Sequence, residues 1–128
     1  MIEEITDRNL IEKFFEIFFP QYKSQNNPFE HFFGYFDNDI LIGLISVSKI
    51  YERVEVNYIA VENKYRNKGI GKKLLDYGTK GFKNISLEVS TENSGAIKFY
   101  LKNGFVKKAV RKKYYGNYDG YLMVKEVR

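Results

Sequence analysis

The sequence predicts a mixed α/β domain built on one central sheet, and three stretches carry that expectation. The apolar run Ile59-Ala60-Val61 passes through a polar, basic, double-glycine stretch into Leu74-Leu75, which reads as strand, loop and helix. Residues 85–90 alternate strictly, with Ile85, Leu87 and Val89 on one face and Ser86, Glu88 and Ser90 on the other, as in a strand. Two further strand-like runs, 105–115 and 118–127, flank Gly116-Asn117 and read as a closing hairpin. The chain has 128 residues, 44% hydrophobic and 17% aromatic, which is enough for one domain over residues 1–128 and too little for two.

Taken in order, residues 2–5 suit a short strand, and Thr6-Asp7 offers an N-cap to a helix. That helix carries Leu10, Ile11, Phe14, Phe15 and Phe18 at helical spacing and stops at Pro20. Residues 21–27 are polar and loop-like, and residues 28–31 are expected to form one helical turn at most. Residues 32–36 and 40–48 form a hairpin about Asp37-Asn38-Asp39, and a third strand spans residues 53–61. The helix after the glycines is expected over residues 69–82, with Ile70, Leu74, Leu75 and Tyr77 or Gly78 facing the sheet; Gly78 and Gly81 weaken its second half. Asn93 can cap a last helix bearing Ala96, Ile97, Tyr100 and Leu101 on one side, and Asn103-Gly104 stops it. The resulting order is β-α-β-β-β-α-β-α-β-β, with two antiparallel hairpins and a parallel crossover.

Composition narrows the chemistry. With no cysteine, thiolate nucleophiles and thiolate metal sites are excluded, and the single His31 makes a histidine-based metal site improbable, so no metal is expected. His31, beside Phe32-Phe33, reads as a lip or core residue. A net charge of +5 favours acidic ligands but is too modest to imply nucleic acid, and no nucleic-acid motif accompanies it. The acidic N-terminal residues lack a signal-peptide plan, and no apolar run reaches membrane-spanning length. A soluble, cytoplasmic protein without a membrane partner, monomer or homodimer, is expected. The basic residues at 107–108 and 111–113 read as a solvated strand edge that discourages aggregation.

The loop after residue 61 is an anion cradle in physical terms. The first turn of a helix leaves backbone N–H groups unpaired at the positive end of its dipole, and phosphate oxygens fill them well. Gly69 and Gly71 remove side chains where a ligand must approach the backbone, and Arg66, Lys68, Lys72 and Lys73 add positive charge. A pyrophosphate suits such a loop. The dinucleotide fingerprint requires glycine where Leu74 stands, and the P-loop requires Ser or Thr where Lys73 stands, so neither nucleotide motif is present.

Arg66-x-x-Gly69-x-Gly71 after Ile59-Ala60-Val61 resembles the acyl-coenzyme A loop of the GNAT superfamily of N-acetyltransferases. The second half adds an independent match. Leu87-Glu88-Val89, Asn93-x-x-Ala96-Ile97-x-x-Tyr100-x-x-x-Gly104-Phe105, Arg111, Tyr114-Tyr115, Asp119 and Met123 resemble the RimI-type ribosomal-protein-alanine N-acetyltransferases, a likeness covering residues 56–124.

The resemblance implies the acyl-CoA N-acyltransferase fold, in which two neighbouring strands of a mixed sheet splay apart to admit the coenzyme between flanking helices. It implies acetyl-CoA as cosubstrate, with backbone contacts from Ile59, Ala60 and Val61, and a pyrophosphate on Arg66, Asn67, Lys68, Gly69, Ile70, Gly71 and Lys72. Asn93 and Ala96 then meet the coenzyme from the next helix, and Tyr100 points at the thioester sulfur. The implied chemistry is direct attack of an amine on the acetyl carbonyl. An α-amine titrates near about 8 and a lysine near about 10.4, so a base must first take a proton. Glu88 matches the family's base and Tyr100 its acid; Glu55, four residues before Ile59, is the alternative base, resembling that of histone-type members. Plainer roles remain open: a solvated strand carboxylate for Glu88, a packing tyrosine for Tyr100.

The segments before Phe32, between Tyr115 and Asp119, and after Gly71 are shorter than in typical RimI enzymes. The first two border the acceptor in this family, so the departures bear on the choice of amine. A protein N-terminal α-amine is the first expectation and a small-molecule amine or polyamine the second. A coenzyme A-binding regulatory module without turnover is the alternative of another class.

Overall fold

The computed structural model describes residues 1–24 and 26–127. Its elements run β1 (Ile2–Glu4), α1 (Arg8–Phe18), β2 (Glu30–Asp37), β3 (Ile40–Ile50), β4 (Arg53–Val61), α2 (Ile70–Gly78), β5 (Asn84–Ser90), α3 (Ser94–Lys102), β6 (Val106–Tyr115) and β7 (Tyr118–Glu126), with a 3₁₀ turn at Asn63–Tyr65. One seven-stranded sheet follows the order β1-β2-β3-β4-β5-β7-β6. All neighbours are antiparallel except β4 and β5, which α2 joins as a parallel crossover. The mixed α/β class and the element order read from the sequence are borne out.

Local chemistry accounts for most boundaries. Asp7 caps α1, its carboxylate accepting from the amides of Asn9 and Leu10. The β2–β3 turn is a two-residue one, with Asn38 and Asp39 both at positive φ (50° and 68°), which is the backbone that matches the twist of paired strands. Two expectations needed correction. Residues 28–31 form no helical turn: Pro28 and Phe29 make a turn, and Glu30 and His31 already pair with β3 opposite Ser48 and Val47. The second helix ends at Gly78, not at residue 82: the Thr79 hydroxyl competes for the Leu75 carbonyl and Gly81 turns left-handed at φ 87°.

The sheet buries apolar residues on both faces. On one, Ile45, Val47, Val54, Val56, Leu87 and Met123 pack with Leu74 and Leu75 of α2 and with Ile97 and Tyr100 of α3. Of the apolar α3 residues expected to pack, Leu101 instead stands in solvent at 46% exposure. On the other face α1 lays Ile11, Phe14 and Phe15 over Phe32, Leu44 and Ala60. Phe15 is fully buried and its ring lies 5.0 Å from Tyr22 and 5.6 Å from Tyr58 between centroids. Phe15→Ala is expected to cost roughly 3–5 kcal/mol of stability in a urea titration, the loss typical of an emptied aromatic site.

Candidate active site

The site begins where two strands part. β4 and β5 pair only over residues 53–56 and 84–87, yet β4 continues to Val61 and β5 to Ser90, so their C-terminal ends diverge. A bulge in β4 starts the divergence. Val47 faces Val56 while Ser46 faces Tyr58, which leaves Asn57 as the extra residue. Its side-chain amide donates to Ser48 Oγ at 2.9 Å and Ser46 Oγ at 3.2 Å, two buried hydroxyls of β3, and Ser46 in turn donates to the Glu30 carboxylate. Cross-strand bonds of this kind hold the bulge in place, and no local sequence pattern announces them.

The parted ends open a groove of about 1040 Å³. It brings together Ile59, Ala60, Val61, Arg66, Asn67, Gly69, Ile70, Gly71, Lys72, Glu88, Asn93, Ala96 and Tyr100. Two sequence-derived candidates lie outside its lining. Lys68 sits with its ammonium 5.6 Å from the ring centre of Tyr65, and Glu55 lies deeper on β4, opposite Ser86 where the strands are still paired.

At one end the cradle has the geometry its residues suggested. Asn67 (φ 62°) and Gly69 (φ 79°) turn the chain left-handed into α2, and no atom lies within 4 Å of where a Gly69 Cβ would stand. The first intrahelical bond after Gly69 comes from the Lys73 amide, so the amides of Ile70, Gly71 and Lys72 are free of helix partners. At Gly71 a Cβ would lie 3.3 Å from the Phe99 ring, which shows that this glycine also makes room for α3. The basic side chains are more tied down than expected. Arg66 Nε donates to the Val61 carbonyl at 3.0 Å, and Lys72 Nζ pairs with Asp76 at 2.7 Å. The Asn93 side-chain oxygen is taken by the Ala96 amide as the cap of α3.

At the other end stand a carboxylate and two phenols. Glu88 is only 16% exposed, and Arg111 Nε lies 2.6 Å from its Oε1, whereas Oε2 is buried with no hydrogen-bond partner among the described residues. Burial raises the Glu88 pKa above the usual carboxylate range, the Arg111 charge opposes the rise, and Glu55 adds to it. Burial likewise raises the Tyr100 phenol, with Tyr115 reinforcing the effect, so Tyr100 holds its proton throughout the neutral range. Tyr115 is pushed up to about 12, chiefly by burial. Tyr115 enters the groove through an irregularity between Arg111 and Tyr115, where Lys113 turns to φ 51° and its amide donates to Asp119 at 2.8 Å. Phe18, Phe19 and Tyr58 line the wall on the α1 side, and Phe99, Lys102 and Asn103 add to the α3 side. Sequence reading missed these; the dense aromatics of α1 were the one available signal. Among the described residues no group of three metal-ligating side chains occurs, and no helix is long and apolar enough to cross a membrane.

A glycine-turned anion cradle joined by a strand splay to a buried carboxylate and a protonated phenol defines an acyl-coenzyme A-binding transferase architecture. Residues 1–105 match the model of the acetyltransferase (GNAT) family, and the chain belongs to that family. Among curated relatives, it is 31% identical over 107 residues to the N-alpha-acetyltransferase RimI of Mycobacterium tuberculosis, covering 76% of this chain and 66% of that protein. It is 35% identical over 88 residues to the spermidine N(1)-acetyltransferase of Thermoplasma acidophilum, covering 65% of this chain and 55% of that one. Among solved structures, Arabidopsis thaliana Naa50 in complex with the bisubstrate analogue CoA-Ac-MVNAL superposes with a TM-score of 0.72 at 26% identity, over 99% of this chain and 98% of the other. The chain spans 31% to 66% of the length of the curated relatives it matches.

Proposed function

We propose that this chain is a single-domain, acetyl-CoA-dependent N-acetyltransferase whose acceptor is a protein N-terminal α-amine. The observation that carries the reading is the continuity of one groove from the cradle at residues 66–72 to Glu88 and Tyr100. Acetyl-CoA supplies an activated acetyl group. The free amides of Ile70, Gly71 and Lys72 suit its pyrophosphate, and the edges of Ile59 and Val61 suit its extended arm. Glu88, partly desolvated and held as a carboxylate by Arg111, takes a proton from the incoming ammonium. Tyr100, which keeps its phenolic proton, gives one to the departing thiolate. Glu55 is the less suitable base because it stands outside the groove lining. A regulatory module without turnover needs neither Glu88 nor Tyr100 in the groove.

For the acceptor, charge favours the first of the two readings. Among the described residues that line the groove, Glu88 is the one carboxylate, and Arg111 already pairs with it; Lys72 is paired with Asp76, while Arg66 and Lys102 contribute positive charge. A polyamine would find no counter-charge for its remaining ammonium groups, whereas a peptide N-terminus presents a single ammonium. Likeness to the RimI of Mycobacterium tuberculosis supports the same choice, and likeness to the spermidine enzyme of Thermoplasma acidophilum keeps polyamines as the second reading. Thiol release from acetyl-CoA is expected with short peptides bearing free α-amines and not with spermidine. Faster turnover of spermidine than of every peptide reverses the ranking.

A further inference from the structure

We propose that Arg111 is a positioning residue that, by engaging Oε1 of Glu88, fixes the carboxylate at the groove and favours the charged form that takes the proton from the amine. The inference rests on reading Glu88 as the base and adds how that base is held. Its ground is a contact between strands that are not neighbours. Arg111 lies on β6 opposite Gly120 of β7, and Glu88 lies on β5 opposite Leu122 of β7, so the guanidinium reaches across β7 to meet the carboxylate at 2.6 Å. Gly120, facing Arg111, carries no side chain, and Tyr114 and Tyr115 close over it; a Cβ there would stand 3.1 Å from Tyr115.

One carboxylate oxygen is thus spoken for and the other is not. Oε2 is buried without a partner among the described residues, so the Arg111 contact is what offsets the cost of burying the charged carboxylate. When an acceptor ammonium binds, an N–H bond breaks, an O–H bond forms on the Glu88 carboxylate, and the freed nitrogen pair attacks the acetyl carbonyl. Glu88 is then a neutral acid facing a fixed positive charge, an arrangement that favours release of the proton to solvent and resets the base.

The groups that face Glu88 are Arg111 and Tyr115 from β6 and Glu55 from β4; its partner on β7, Leu122, is apolar, and Tyr115 in turn acts on Tyr100 of α3. Among these Arg111 is the one that favours the charged form.

The test uses the full chain labelled with carboxyl-¹³C glutamate, the Glu88 resonance being identified by its absence in Glu88→Gln. In Arg111→Gln the Glu88 titration is expected to move to higher pH, and the acid limb of kcat/KM to move with it, so that the loss of rate is greater on the acid side. Arg111→Lys, which keeps the charge, is expected to bring both back toward the wild type, and circular dichroism checks that each variant is folded. An unmoved Glu88 titration in folded Arg111→Gln, or a loss of rate equal at every pH, overturns the proposal. Failure of the transferase reading is separate: it shows as no thiol release by the wild type with any amine, whatever the titration does.

Discussion

Glu88→Gln is expected to lower the rate of acetyl transfer by roughly 10²–10⁴ and to erase the acid limb of the pH–rate profile, with acetyl-CoA binding retained. The amide matches the carboxylate in shape and removes its basicity together with the charge that pairs with Arg111. Glu55→Gln is expected to cost far less, since Glu55 lies where β4 and β5 are still paired and not in the groove. The stability of the variant provides a second readout. Burial raises the folded-state pKa of Glu88, so between the usual carboxylate value and that raised value the folded chain holds more protons than the unfolded one. Stability from this group therefore falls as pH rises through that window. Glu88→Gln is expected to remove this fall and to be at least as stable as the wild type at neutral pH, as measured by denaturant titration at several pH values. A large loss in Glu55→Gln beside near-normal rates in Glu88→Gln moves the base to β4. Comparable losses in both assign the proton to a water shared between two carboxylates.

Gly71→Asp is expected to abolish acetyl-CoA binding in a calorimetric titration while the fold persists. A carboxylate in the first turn of α2 is favourable to an empty helix end, which is why the chain should still fold. It is unfavourable to a second anion at the same amides. The added Cβ also meets the Phe99 ring at 3.3 Å, but Phe99 is only half-buried and can shift by a few tenths of an ångström. Gly71→Ala separates the two effects, because it carries the steric contact without the charge. Affinity that is unchanged in folded Gly71→Asp refutes the cradle assignment; equal losses in both variants attribute the effect to Phe99 and not to phosphate repulsion.

What was legible in the sequence was whatever is decided within about ten residues. The alternation of Ile85, Leu87 and Val89, the cap at Asp7 and the turn at residues 37–39 are set by the chain's near neighbours, and each stands where the pattern placed it. The cradle was readable for the same reason, since a helix N-terminus brings its own amides. The roles proposed for Glu88 and Tyr100 came from likeness to a family, and the structure adds that both residues face one groove. The bulge at Asn57 was not readable, because it depends on Ser46 and Ser48 of another strand. Nor was the Arg111–Glu88 pair, which requires knowing that β7 inserts between β5 and β6. The length of α2 was overestimated because its apolar spacing continues to Phe82, whereas the Thr79 hydroxyl and the backbone at Gly81 end it first.

All ten residues of β6 are exposed, and the strand pairs on one side only, with β7. Such a strand buries less than any inner strand, so its local opening costs less than unfolding the sheet. Arg111 and Tyr115 both ride on it. The wall that grips Glu88 is therefore also the one whose opening would cost least, and a lifting of β6 would carry the guanidinium and the phenol away from Glu88 together.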